Sequence, residues 1–246
     1  MENFENANQP PTPPFKENLV DFPARAINSD IPEGYPVLLK HFENNPEKIV
    51  KISRKENIYR FTGENDPVES PKSIEIQKKS KEHYSELAGK YNIAITQPEY
   101  VIGKDEDGKE SVVYSVSDRI HGDNLLERIK DFKPEEIEEL ENLLISLMDY
   151  FEDKFNNDNY YLGDVGNLGN YMYGRKKEED KDRIYLVDVE PVLNDLDSSE
   201  KRNFFYSRIK EVFYPQIEYA EKETGLTLSG VRKRYSDFIR NIEKKL

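Results

Sequence analysis

The sequence predicts an α+β fold, with a small β-rich N-terminal lobe holding one main helix and a mostly helical C-terminal lobe. Three observations predict it. Short runs rich in β-branched and aromatic residues, bounded by Gly, Pro, Asn and Asp, fill residues 34–62 and recur in 98–120. One stretch of helical spacing, 71–90, separates the two sets. After about residue 118 apolar residues recur in long helical stripes, with short strands only around "KKEEDKDR".

The elements follow in order. Residues 1–28 are expected to be a disordered tail, because "MENFENANQPPTPPF" is acidic, then proline-rich, and has too little apolar surface to offset the entropy of ordering. Residues 29–117 form the first lobe and 118–246 the second. In the first lobe, "GYPVLLKHF", "KIVKIS" and "NIYRFTG" read as strands, with "ENNPE" as the first turn. Pro71 suits a helix first turn, Ile76, Tyr84, Leu87 and Tyr91 give that helix an apolar side, and Gly89 ends it. "PEYVIG" and "SVVYSVSDRI" then make a hairpin across "DEDG".

In the second lobe the clearest helix begins at Pro134, with Glu135 and Glu136 placed to suit the helix dipole. Ile137, Leu140, Leu144, Leu147, Met148, Phe151 and Phe155 form its apolar stripe. Near the C-terminus Phe205, Ile209, Val212 and Phe213 form another stripe, and Val231, Tyr235, Phe238 and Ile242 a third. Pro215 should kink or split the first of these two.

Composition narrows the function classes. The chain has 246 residues, enough to bury a sizeable core. A net charge of −13 argues against nucleic-acid binding, which needs a basic face for phosphates. With no Cys there is no disulfide framework, thiolate metal site or Cys nucleophile. The first residues lack the basic region and apolar run of a signal peptide, and no apolar run approaches the length of a membrane span, so a cytoplasmic location is expected. His41, His83 and His121 stand apart from one another, without metal-ligand spacing. No Gly-x-Ser-x-Gly is present.

Two carboxylates stand out within "YLGDVGNLGNYMYGRKKEEDKDRIYLVDVEP". Asp164 sits in a turn rich in Gly and Asn, residues that favour turns for backbone reasons alone. Asp188 follows "IYLV" at the end of an apolar strand, where a carboxylate is costly without a partner. That cost points to a functional role.

The order of these segments resembles the protein-kinase-like superfamily, above all its aminoglycoside- and choline-kinase-type small-molecule phosphotransferases, over roughly residues 30–215. "EKIVKIS" resembles the strand whose lysine contacts nucleotide phosphates, which implies Lys51 in that role. "KEHYSELAGKYNIAITQPEYVIG" is similar to the helix whose glutamate pairs with that lysine; the resemblance implies Glu82, with Glu86 a second candidate one turn on. "VVYSVSDRIHGDNLLERI" resembles the strand and hinge that bind adenine through backbone groups, which implies contacts at Tyr114 and Val116. It runs on into an Ile-x-Gly-x-x-Leu opening of the second lobe. "YLGDVGNLGN" is similar to the catalytic loop, with Asp164 as base and Asn170 as metal ligand. "IYLVDVEP" resembles the metal-binding strand end, with Asp188 as ligand and Glu190 two residues on.

The resemblance thus implies ATP and Mg²⁺ as cofactors and a hydroxyl-bearing acceptor on a small molecule or protein. Phosphoryl transfer needs positioning and charge neutralisation more than covalent chemistry, so this small set of residues can suffice. Three departures stand beside it. Leu162 occupies the position of the family's His, Asn170 comes one residue later than usual so that Asn167 is an alternative, and Gly34 is the one glycine where a phosphate loop would lie. They leave open a pseudokinase-type binding or scaffold module without turnover.

Overall fold

The computed structural model describes residues 15, 18–21, 37–53, 71–105, 108–109, 111–157, 165–188, 203 and 206–245. The fold is α+β, with a sheet-rich N-terminal region and a mainly helical C-terminal region. Its contacts divide the chain into two compact units, Met1–Lys81 with Gln97–Arg119, and Glu82–Thr96 with Ile120–Leu246.

The first unit holds a five-stranded antiparallel sheet: β1 (Leu19–Asp21), β2 (Val37–Phe42), β3 (Asn45–Ser53), β4 (Glu99–Lys104) and β5 (Ser111–Asp118), in the spatial order β1-β2-β3-β5-β4. Strand alternation explains its two faces. Val50 and Ile52 of β3 and Val112 and Tyr114 of β5 are buried in one cluster, with Phe15, Leu19, Phe42, Val101 and Val116 packed around it. Each fully buried side chain of this kind contributes roughly 1.5–3 kcal/mol by leaving water. On the other face Val113 packs with Tyr100 and Ile102.

Part of the expected N-terminal tail belongs to this sheet. Leu19–Asp21 pairs antiparallel with Lys40–Phe42, and the Phe15 ring stands edge-on to Phe42 and Tyr114 at 5.1 and 5.2 Å. The buried Lys40 is paired with Asp21 at 3.2 Å. A few apolar side chains and one counter-charge, supplied to a sheet edge, offset an ordering cost that the segment could not meet alone. The expected strand "NIYRFTG" lies outside the described residues.

Helix α1 (Pro71–Lys90) runs over the expected range and straddles the division between the units. Tyr84 and Leu87 are buried, and Asn92, at φ 54°, turns the chain beyond it.

The second unit is built on α3 (Pro134–Asn157), which follows the short helix α2 (Leu125–Arg128). The expected stripe forms its core from Leu140 on: Leu140, Leu144, Leu147, Met148, Phe151 and Phe155 are all buried, while Ile137 is half-buried. At its start the Lys133 N–H donates to Glu136 at 2.6 Å, half of a capping box. Pro215 acts where expected. Ile209–Phe213 forms a π-helical turn directly before α4 (Tyr214–Thr224), because a proline lacks an N–H and its ring crowds the preceding carbonyl. Gly225, at φ 70°, closes α4, and α5 (Ser229–Glu243) buries Val231, Phe238 and Ile242.

A three-stranded antiparallel sheet, β6 (His121–Asn124), β7 (Tyr171–Arg175) and β8 (Arg183–Leu186), lies within this unit in that order. β7 and β8 flank the charged turn as expected. β6 was not legible as a strand, since "HGDN" has no strand propensity. It forms because Gly122 and Gly174 face each other in the ladder. A Cβ on Gly122 would lie 2.1 Å from the Tyr173 carbonyl oxygen, so the two backbones can approach only without one.

Candidate functional site

Lys51 sits in β3, in register with Leu39 on one side and Ser115 on the other. Its neighbours Val50 and Ile52 point into the apolar cluster, so alternation turns Lys51, half-buried, to the opposite face. Tyr114 and Val116 lie between two partner strands: Tyr114 is in register with Ile52 and Val101, and Val116 with Val50 and Glu99. A strand paired on both sides has its backbone donors and acceptors within the sheet. The Tyr114 side chain is also buried, its hydroxyl donating to the Lys104 carbonyl at 2.6 Å. The chain leaves the sheet just after Asp118, and the Arg119 N–H already donates to the Glu47 carbonyl at 2.8 Å.

On α1 the two candidate glutamates have different surroundings. Glu82 is exposed. Glu86 is half-buried and accepts a 2.5 Å hydrogen bond from the ammonium of Lys154, a residue only 1% exposed. Glu86 is therefore engaged in an ion pair within the second unit. Lys154 escaped the reading of the sequence. Its signal was there, a lysine at helical spacing from Leu147, Tyr150 and Phe151 inside the apolar stripe of α3.

The turn before β7 brings the expected metal ligands together. It runs through a 3-10 turn, Leu168–Asn170, into β7. Tyr171, buried, donates its hydroxyl to the Val165 carbonyl at 2.6 Å. Asn124 donates to the Gly169 carbonyl at 3.0 Å while its oxygen caps α2. Gly166 lies against aromatic rings, where a Cβ would come 3.0 Å from Phe151. The oxygen of Asn167 accepts the Gly169 N–H at 3.0 Å, so this side chain serves as a local cap.

The Asn170 carbonyl accepts the N–H groups of both Val187 (2.9 Å) and Asp188 (3.2 Å). The backbone thus sets residues 170 and 188 side by side, and both are half-buried. An amide and a carboxylate are hard oxygen donors, and Mg²⁺ takes one or two such protein ligands and completes its shell with waters and phosphate oxygens. The donor set fits that ion. No group of three or more His, Cys, Asp or Glu side chains suited to a metal occurs among the described residues. Asp164, Leu162 and Glu190 lie outside the described residues.

No family model matches the chain, and no curated protein matches it. Among solved structures the chain is similar to one described as WaaP in complex with acyl carrier protein, with a TM-score of 0.41 and 10% identity over 85% of this chain and 83% of that one. It is similar to two double mutants of the Mycobacterium tuberculosis PknI kinase domain, with TM-scores of 0.39 and 0.38 and identities of 12% and 14%. These cover 84% and 72% of this chain, and 90% and 66% of those chains. Likeness at this level assigns neither a family nor an activity. Among the described residues no helix is long and apolar enough to cross a membrane.

Proposed function

We propose that this chain is a kinase-like phosphotransferase that uses ATP and Mg²⁺ to phosphorylate a hydroxyl on a small molecule or a protein. The observation that supports the reading is the Asn170 carbonyl, which accepts the backbone N–H groups of Val187 and Asp188, so that residues 170 and 188 are neighbours. In this reading Asn170 and Asp188 hold Mg²⁺, Lys51 contacts the nucleotide phosphates and Glu82 supplies its counter-charge. Asp164 orients the acceptor hydroxyl and takes its proton. When bound, Mg²⁺ neutralises phosphate charge and orients the transferring group.

A ligand that binds only the folded state must stabilise it, by about 2.7 kcal/mol at a hundred times its dissociation constant. The test is the thermal stability of the parent and of Asp188→Ala with ATP, with and without Mg²⁺. The expected result is a Mg²⁺-dependent rise in Tm that the variant loses. No rise at millimolar ATP would overturn the reading.

A second reading, a binding module without turnover, has its own support. Leu162 stands where the family carries His, Asn170 comes one residue later than usual, and Gly34 is the one glycine where a phosphate loop would lie. The two readings part at Asp164→Ala. In an enzyme this change stops ATP consumption and leaves nucleotide binding intact; in a module it changes neither.

A further inference from the structure

Two neighbouring residues of α3 hold the end of α1 with opposite charges. The Lys154 ammonium donates to Glu86 and lies 5.7 Å from the centre of the Tyr150 ring. Asp153 accepts from Lys90 at 2.7 Å, from the Tyr91 hydroxyl at 2.6 Å and from Asn157 at 2.8 Å. Glu86 and Lys90 are one helical turn apart. A slip of α1 by one turn would therefore set Glu86 toward Asp153, or Lys90 toward Lys154. The first would join two half-buried carboxylates and the second would set an ammonium against the buried Lys154, both unfavourable, so the charge pattern favours the observed register.

That register passes directly to the metal-ligand strand. Beyond Tyr91 the chain turns at Asn92, and the Ile93 N–H returns to the Leu87 carbonyl at 3.1 Å. The next three residues clamp Leu186. The Leu186 N–H donates to the Ala94 carbonyl at 2.8 Å, and the Thr96 N–H donates to the Leu186 carbonyl at 3.1 Å. Ile95 and Leu186 form a parallel bridge, and the Thr96 hydroxyl adds a 3.3 Å bond to the same carbonyl. Leu186 is buried and stands two residues before Asp188. Every link in this chain, from Lys154 to Asp188, lies in the second unit.

We propose that Lys154 is a positioning residue for the Asp188–Asn170 oxygen pair, acting through Glu86 and the Ala94–Thr96 clamp on Leu186. This rests on the reading of that pair as Mg²⁺ ligands. Lys154 touches neither metal nor nucleotide; it fixes the height at which β8 delivers Asp188. Residues that orient metal ligands from behind affect metal affinity by about 10–100-fold.

The test uses the full chain and two readouts, on the parent, Lys154→Met, and Lys154→Met/Glu86→Gln. The double variant removes both charges, so it remains informative if the single variant, which leaves the half-buried Glu86 carboxylate without its ammonium, does not fold. In metal-free protein, amide hydrogen exchange at Thr96 and Leu186 should speed up by about tenfold or more, with the Leu144 and Leu147 amides unchanged. In a Mg²⁺ titration at fixed ATP, the Mg²⁺ concentration giving half of the thermal stabilisation should rise about tenfold, with ATP binding in the absence of metal unchanged. A merely structural lysine would lower Tm and leave that Mg²⁺ concentration where it was. That result, in a parent whose stabilisation depends on Mg²⁺, overturns the proposal and leaves the phosphotransferase reading standing. Unchanged exchange at Leu186 also overturns it. A parent with no Mg²⁺ dependence overturns the metal reading itself, and the proposal with it.

Discussion

The Asn170 carbonyl is part of the backbone, so a side-chain substitution separates its two roles. Asn170→Ala keeps the bonds to Val187 and Asp188 but removes the amide oxygen. The expected outcome, read by thermal shift, is loss of the Mg²⁺-dependent ATP stabilisation. Asn167→Ala should do the reverse. Its cap on Gly169 goes, at a cost of about 1 kcal/mol in urea unfolding, while Mg²⁺ dependence stays. Gly122 is demanding for a different reason: a Cβ there would meet backbone on the neighbouring strand, which cannot swing away as a side chain can. Gly122→Ala should cost about 1–3 kcal/mol or more of stability by denaturant midpoint, as overpacking does. An unchanged midpoint would show that β6 and β7 can separate freely.

At the scale of elements, the end of α1 is held to α3 by charge, and its pH dependence follows. Hydrogen bonds from Lys90 and then Tyr91 hold the Asp153 carboxyl down to about 2, below its ordinary 3.8. A depressed folded value stabilises the protein above the unfolded value, and that stability is lost as pH falls through the folded one. The parent should therefore lose urea resistance between about pH 4 and 2, and Asp153→Asn should flatten that part of the profile. An equal slope in both would remove Asp153 from the account. β1 is held differently, by apolar packing on a sheet edge. Phe15→Ala takes a ring from between Phe42 and Tyr114 and should cost about 1–3 kcal/mol, less than a fully buried phenylalanine because Phe15 is half-buried. Exchange protection of the Lys40–Phe42 amides would report the loss.

At the scale of the whole molecule, the α+β order of sheet, helix, hairpin and helices was readable in the sequence because each of those elements carries its own local signal. Helix α1 matched its expected range because Pro71 opens it and Gly89 and Asn92 close it within a few residues of chain. The π turn before Pro215 was equally local, set by a missing N–H. β6 and β1 were not readable, since "HGDN" and the segment at Leu19 become strands only when a remote partner accepts them. The same division runs through the candidate site. Asp188 announced itself as a carboxylate ending an apolar strand, and Lys51 and Asn170 by their order along the chain. That Asn167 caps Gly169 and that Glu86 pairs with Lys154 was not readable there. By itself the sequence determined the periodic elements, the turns and the inventory of oxygen donors, because propensity, capping and alternation act over a few residues. Only the tertiary structure decided which donors are already committed and which backbone edges are closed, because a hydrogen bond or a buried charge depends on what distant parts of the chain bring to it.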